Sequence, residues 1–355
     1  MALIHGGDTV SFEMEYGYEP LDYSANCNPL GVPSGVKRAI SQAAEKIDEY
    51  PDPLCRKLTA AISGYEGVPP EFVLCGNGSA DLIDRLVYAR KPLKAVITDP
   101  TFAEYERCLM NISCHIIHHH LSENDGFRVT DNIIFLLQPD VDVLFLCSPN
   151  NPTGLTIEND LLQKILNICL ELNILLVIDE CFNGFLDNPD LHTLKPKLQV
   201  CANLLILKAF TKIFGMAGVR LGYCLSSDAK LLAGMRIAGQ PWAVSSLAQA
   251  AGIAALLEKD YVQTARVLIQ EEREYLSGAL RTLGMQVYDS EANYIFFRTD
   301  IPELTGKMRE KGILIRDCSQ YPGLSSGYYR IAVRTHSENI RLIDELSACK
   351  RESLW

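Results

Sequence analysis

The sequence has no CxxC pair among its twelve cysteines, which stand at 27, 55, 75, 108, 114, 147, 169, 181, 201, 224, 318 and 349. Several of them, such as Cys75, Cys147 and Cys224, lie inside apolar, strand-like runs. A free cysteine there behaves as a small buried hydrophobe. A reducing cytoplasm is therefore expected, not a disulfide framework. Positive charge is also short. There are 33 Lys and Arg against 44 Asp and Glu, a formal net charge of −11, so the basic footprint of a nucleic-acid binder is missing. No apolar run approaches the roughly 18 residues of a membrane span. The start, MALIHGGDTVSFEMEYGYEP, has no basic region followed by an apolar core, so no signal peptide is expected. Internal repeats and low-complexity linkers are absent as well.

What is present is ample core material. The 355 residues are 48% hydrophobic, enough for one large domain and a smaller one. Seven short apolar runs read as strands: 72–75, 94–99, 114–120, 142–147, 173–179, 203–210 and 219–225. Between them, 79–89 reads as a helix after a glycine turn. Residues 158–173 carry apolar side chains at 161, 162, 165, 166 and 169, which is helix spacing. Strand–helix alternation predicts an α/β domain with a mostly parallel seven-stranded sheet flanked by helices. From 245 to 284 the pattern is long, helical and Ala/Leu-rich. Short strands with intervening helices follow, an α+β pattern closed by a helix at 337–350. The expected division is an N-terminal segment 1–40 packing with the small domain, a large domain 41–260 and a small C-terminal domain 261–355. Three histidines at 118–120 do not make a metal site, because adjacent strand side chains alternate faces and no Cys or acidic partner sits at ligand spacing.

Four stretches carry chemistry. LKAFTKIFGMAGVRLGY, 207–223, ends a buried strand with Thr211 and Lys212 and places Arg220 in the loop beyond. Lys and Arg are seldom buried unless they are paired. CGNGSADLI, 75–83, is glycine-rich and opens a helix, whose free N–H groups attract phosphate. FLCSPNNPTG, 145–154, follows a buried strand, and such loops are where parallel α/β sheets bind ligands. LLVIDECF, 175–182, ends an apolar strand on Asp179, whose carboxylate needs a partner when buried. Together they supply a phosphate cradle (Ser79, Ala80 and Arg220), an acid for a ring nitrogen (Asp179), an amide for a ring oxygen (Asn151) and an amine (Lys212). That set describes the protein partners of pyridoxal 5'-phosphate.

At these residues the chain resembles, nearly end to end, the fold-type I pyridoxal-phosphate enzymes of aminotransferase class I/II. Within that family it is similar to the histidinol-phosphate aminotransferase group and most closely to the L-threonine O-3-phosphate decarboxylases of cobalamin synthesis. The closer likeness is carried by HGG (5–7), LDYSANCNPLG (21–31), YPDPLCRKL (50–58), FAEYERCL (102–109), QPWAVSSLA (240–248) and ILIRDCSQYPGLSSGYYRIAVR (313–334). The resemblance implies that Lys212 is the Schiff-base lysine and proton carrier. By the same likeness Asp179 keeps the ring nitrogen protonated, Asn151 bonds the ring hydroxyl and Tyr105 stacks on the ring. Ser79, Ala80 and Arg220, with Thr211 beside the lysine, hold the cofactor phosphate. Tyr50 reaches the cofactor of the neighbouring subunit, which makes the active unit a homodimer. Arg330 matches the family's substrate-carboxylate arginine, and His5, Asn28, Arg316 and Arg334 are candidates for a substrate phosphate.

Two departures bear on activity. The family usually has Ser or Thr three positions before the lysine, and this chain has Ala209, which predicts weaker cofactor retention. Aminotransferases of this fold usually have Tyr where Phe182 stands, and the decarboxylase relatives share the Phe. The expected reaction is decarboxylation of L-threonine O-3-phosphate to (R)-1-aminopropan-2-ol O-phosphate. The rivals are decarboxylation of L-serine O-phosphate to ethanolamine phosphate and histidinol-phosphate aminotransfer.

Overall fold

A computed structural model describes residues 6–353. The chain begins with a helix, Thr9–Tyr16, and a short strand β1 (Leu21–Asp22). Seven strands then build the main sheet: β2 (Val73–Gly76), β3 (Lys94–Asp99), β4 (His115–His120), β5 (Val143–Cys147), β6 (Leu175–Asp179), β7 (Leu204–Ala209) and β8 (Gly222–Leu225). Their order is β2-β8-β7-β6-β5-β3-β4, and β8 alone runs antiparallel to its neighbours. The sheet is the expected mostly parallel, seven-stranded one, now seen to be mixed. Every residue of β5 and β6 is buried. This is the reason those strands read as continuous apolar runs: helices cover both faces of a parallel sheet.

Parallel pairing sets the C-terminal strand ends side by side. Cys147 lies opposite Asp179, and Asp179 opposite Leu207. The loops after β5, β6 and β7 therefore open at one edge of the sheet.

The C-terminal part forms a second sheet of β9 (Gln286–Val287), β10 (Tyr294–Arg298), β12 (Arg316–Asp317) and β13 (Tyr328–Ala332), in the order β12-β13-β10-β9 and antiparallel throughout. The run ILIRD is split. Its first half, β11 (Ile313–Leu314), pairs instead with β1, Leu21 facing Ile313. The second half, β12, carries Arg316 into the four-stranded sheet opposite Arg330.

The helical stretch after 245 is two helices, Ser246–Ala255 and Lys259–Thr282. Ser245 caps the first by accepting a bond from Ala248 N–H at 3.1 Å. The two have different partners. The first packs on helix Ser34–Ala43, and the second on the C-terminal helix His336–Glu352. Gly252 lets the first approach the core closely, since a Cβ there would lie 2.5 Å from Leu221. The second buries Val262, Ala265, Ile269, Leu276 and Leu280, a single face at helical spacing.

All twelve cysteines are free thiols, ten of them buried. His118 and His120 share one side of β4, their rings 6.3 Å apart, and His119 is buried on the other side. His118 pairs with Asp99 at 2.5 Å. Among the described residues no group of three or more His, Cys, Asp or Glu is placed to hold a metal ion. No described helix is long and apolar enough to cross a membrane.

Candidate active site

The strand ends open into a cavity of about 450 Å³ lined by residues from both sheets. Ser79, Ala80, Asn151, Asp179, Thr211, Lys212, Arg220, Arg316 and Arg330 all border it. Sequence reasoning singled out each of these nine, although they span more than 250 positions of the chain.

The phosphate end is built from backbone. Helix Ser79–Arg90 starts at Gly78 with no side-chain cap, so its first N–H groups stay available. Arg220 lies against this turn in the left-handed region at φ 59°, and a Cβ on Gly78 would stand 2.7 Å from its Nη2. The glycine is what lets a guanidinium and a helix N-terminus face one small space. Their shared positive character suits a phosphate.

Asp179 closes the opposite wall. It is 4% exposed, yet both carboxylate oxygens are bonded. Oδ1 accepts from the Cys181 N–H at 2.9 Å and Oδ2 from the Tyr105 hydroxyl at 2.7 Å. Asn151 Oδ1 accepts a hydrogen bond from Arg330 Nη1, which leaves the Asn151 amide N–H groups for the cavity. Arg330 is further fixed by donating from Nη2 to the Ser24 carbonyl at 2.7 Å. Ser24 in turn holds Gly6 and Gly7: its Oγ accepts from Gly7 N–H at 2.8 Å, and a Cβ on Gly6 would lie 2.3 Å from its carbonyl oxygen.

Two lysines stand four positions apart on the same chain segment, in opposite settings. Lys208 lies between Glu66 at 3.4 Å and Glu180 at 3.3 Å. Burial opposes its charge, but Glu180 and Glu66 outweigh burial and hold its pKa above the ordinary lysine value. Lys212 has no such carboxylate pair beside it. Burial, reinforced by the Arg330 and Arg220 charges, lowers its pKa despite opposing contributions from Cys27 and Cys181. Its Nζ sits 5.6 Å from the centroid of the Phe182 ring, an apolar neighbour with no hydroxyl to offer. A lowered pKa makes the neutral, nucleophilic amine more abundant at a given pH.

Several expected residues stand elsewhere. The Tyr105 ring does not border the cavity. It is fully buried and stacked on Phe145 of β5, centroids 5.2 Å apart, so its face is already taken. Phe102, three positions earlier, lines the cavity instead. Asn28 does not reach the cavity, because its Nδ2 donates to the Ile213 carbonyl at 2.7 Å and its Oδ1 accepts from Leu30 N–H. It braces the loop carrying Lys212. Asn26, two positions before it, lines the cavity, with a buried Oδ1 that has no hydrogen-bond partner. Arg334 lies past the end of β13 and is bound to Glu338 at 2.6 Å, to the Asp22 carbonyl and over the Tyr23 ring. The strand alternation that aligned it with Arg330 stops at Ala332. His5 lies outside the described residues. Tyr50 is 81% exposed, packed against Trp242 with the rings tilted by 33°, and does not border this chain's own cavity.

Phe102, Asn26 and Tyr321 were not named by sequence reasoning. Each sits in an irregular loop, where no periodicity tells which side chain turns inward. Tyr321 carries the Arg316 guanidinium over its ring, 5.6 Å from the centroid. The available signal was adjacency: each lies within a quoted motif, two to five positions from a residue that was named.

The residues present fit pyridoxal phosphate. An uncapped helix start and Arg220 would hold its phosphate, a buried carboxylate its ring nitrogen, an amide its ring hydroxyl, and an amine of lowered pKa its aldehyde.

Comparison with known proteins agrees with this chemistry. The model of the family Aminotransferase class I and II matches residues 19–346. The threonine-phosphate decarboxylase of Salmonella typhimurium is 40% identical over 348 residues, covering 96% of this chain and 95% of that protein. The adenosylcobalamin biosynthesis bifunctional protein of Leptospira interrogans is 31% identical over 97% of this chain, which matches 40% of that longer protein. Among solved structures, the histidinol-phosphate aminotransferase of Clostridium acetobutylicum superposes with a TM-score of 0.88 at 26% identity, covering 94% of this chain and 99% of that one.

Proposed function

The chain belongs to the class I and II aminotransferase family, and from that premise we propose that it is a pyridoxal-phosphate-dependent decarboxylase of L-threonine O-3-phosphate. The products are carbon dioxide and (R)-1-aminopropan-2-ol O-phosphate, and the role is in cobalamin synthesis. The observation that carries the reading is the second arginine. Arg316 and Arg330 border the same cavity as Lys212, and a phosphorylated amino acid brings two anionic groups for two guanidiniums.

When bound, the cofactor supplies an aldehyde and an electron-withdrawing ring that weakens one bond at the substrate Cα. Which bond breaks is a matter of orientation. Arg330 binds the carboxylate and Arg316 the phosphate, so the substrate is held at two points. Held at both anchors, the substrate would present its carboxylate to the bound cofactor, which would supply the electron sink for its loss as carbon dioxide. Asp179 holds the proton at the ring nitrogen. Asn151, turned by Arg330, donates to the ring oxygen. Lys212 returns a proton to Cα after carbon dioxide leaves. Phe182 places no hydroxyl beside the ring oxygen. Ser79 and Ala80 N–H groups with Arg220 hold the cofactor's phosphate.

We further propose a homodimer in the cytoplasm. The exposed pair of Tyr50 and Trp242, centroids 4.8 Å apart, supports the dimer, with Tyr50 serving the neighbouring subunit's cofactor. Twelve unbridged thiols support the compartment.

The deciding experiment incubates purified protein and pyridoxal phosphate separately with L-threonine O-3-phosphate and L-serine O-phosphate, with mass spectrometry of the amine phosphate. Amine from the threonine compound at the faster rate is expected. Faster release from the serine compound would reassign the substrate. No amine from either, with turnover of histidinol phosphate and 2-oxoglutarate, would replace decarboxylation by aminotransfer.

Two consequences follow for cofactor capture. The lowered pKa of Lys212 means that its neutral amine dominates at lower pH than an ordinary lysine. The stopped-flow rate of cofactor capture by the apo protein should rise with pH and level off below the usual value of about 10.5. A rate still climbing there would show an unperturbed amine. Ala209→Ser should tighten the cofactor by roughly two- to tenfold, the range of one neutral hydrogen bond at about 0.5–1.5 kcal/mol. The hydroxyl can reach the cofactor's phosphate, because Ala209 borders the same cavity as Ser79, Ala80 and Arg220. An unchanged or weaker dissociation constant by fluorescence titration would mean that this contact is already replaced.

A further inference from the structure

We propose that Tyr105 is a positioning residue for the cofactor's ring nitrogen and acts through Asp179, an inference that rests on the reading of the cavity as a pyridoxal-phosphate site. Asp179 is the last residue of β6, and Tyr105 approaches it from helix Glu104–Met110. The hydroxyl meets Oδ2 at 2.7 Å and the Cys181 N–H meets Oδ1 at 2.9 Å. These two donors fix both the plane of the carboxylate and its tilt about the Cβ–Cγ bond.

The tyrosine itself has little freedom. Its ring is stacked on Phe145, planes 19° apart, and stands edge-on to Phe102 with centroids at 5.6 Å. It is 0% exposed. Burial, followed by the charge of Asp179, pushes the hydroxyl's pKa well above its ordinary value, so it stays protonated and donates to the carboxylate. Packing does not require the oxygen. Phenylalanine would fill the same space and stack on Phe145 equally well. A buried hydroxyl costs stability unless it is bonded, and here its bond goes to Asp179, which borders the cavity. The segment thus divides its labour over three positions: Phe102 faces the cavity, and Tyr105 stands behind the acid that faces it.

Tyr105→Phe in the full chain tests this. Without the hydroxyl, Asp179 keeps one fixed donor and its carboxylate can rotate. The expected result is a cofactor dissociation constant raised about tenfold, consistent with loss of a hydrogen bond to a charged group. The pH midpoint and visible circular dichroism of the bound cofactor's absorbance band should shift. The kcat should fall with KM unchanged, and thermal unfolding of the apo protein should stay close to wild type. A variant with wild-type affinity, midpoint and dichroism overturns the proposal, whatever its stability, because the hydroxyl would then serve packing alone. Wild-type protein that stays colourless with pyridoxal phosphate would overturn the reading of the cavity and this inference with it. Coloured wild type with an unaffected variant would overturn the inference alone.

Discussion

Lys212→Ala is expected to abolish turnover and the coloured complex with pyridoxal phosphate, leaving the fold intact. On the proposed mechanism the amine is both the group that bonds the aldehyde and the proton carrier at Cα, and among the described residues no other side chain bordering the cavity is an amine. The informative control is Lys208→Ala, four positions away. Lys208 lies between Glu66 and Glu180. Removing one partner of such a buried group leaves uncompensated charge and costs on the order of 3–5 kcal/mol. That variant should lose thermal stability, whereas Lys212→Ala should lose chemistry. Absorbance with cofactor, product formation and a melting curve on both variants separate the two effects. Residual decarboxylation in Lys212→Ala at the wild-type rate would sink the site assignment. Colour and activity lost in the Lys208 variant with unchanged melting would move the role to the wrong lysine.

Arg330→Ala should be nearly as damaging, through two routes at once. Its guanidinium is the expected carboxylate anchor, and it also bonds the Asn151 Oδ1 and the Ser24 carbonyl. Truncating one side of a buried, hydrogen-bonded charge contact costs roughly 2–5 kcal/mol, which is about thirtyfold to several-thousandfold in kcat/KM. Cofactor affinity should fall as well, because Asn151 loses the bond that turns its amide toward the ring. Arg316→Ala offers the contrast. It should raise KM for L-threonine O-3-phosphate and leave cofactor affinity as it was. Any slow reaction with unphosphorylated L-threonine should change little in that variant. If Arg316→Ala slowed both substrates equally, Arg316 would not be reading the phosphate.

How much of this was legible beforehand differs by element. Lys94–Asp99 is a strand with the bounds its apolar run gives, and Ser79–Arg90 exceeds its expected end by one residue. Burial on both faces makes such runs continuous, and a glycine turn marks the helix start. Lys212, Asp179, Asn151 and Arg220 were visible because each sits at a strand end or helix start, where chemistry and local pattern coincide. Arg334 was misjudged because the alternation rule was carried two residues past the end of β13. Tyr105 and Phe102 were exchanged because both are aromatic and only three positions apart, one in the loop before the helix and one in its first turn. Only the stacking of Tyr105 on Phe145 of β5 decides which ring is buried and which faces the cavity.

The sequence by itself determined the strand–helix alternation, nine of the residues that gather around the cavity and their chemical types. Those depend on local apolar pattern, turn residues and functional groups, all written along the chain. Tertiary structure alone decided how differently two nearby lysines are held. Lys208 and Lys212 are the same side chain four positions apart. Glu66 and Glu180, distant from each other in sequence, close on the first and hold its proton. The second is left in a cavity whose burial and arginines favour losing one. A pKa is set by the charges and the water within a few ångströms, and those neighbours exist only once the sheet has brought the strand ends together.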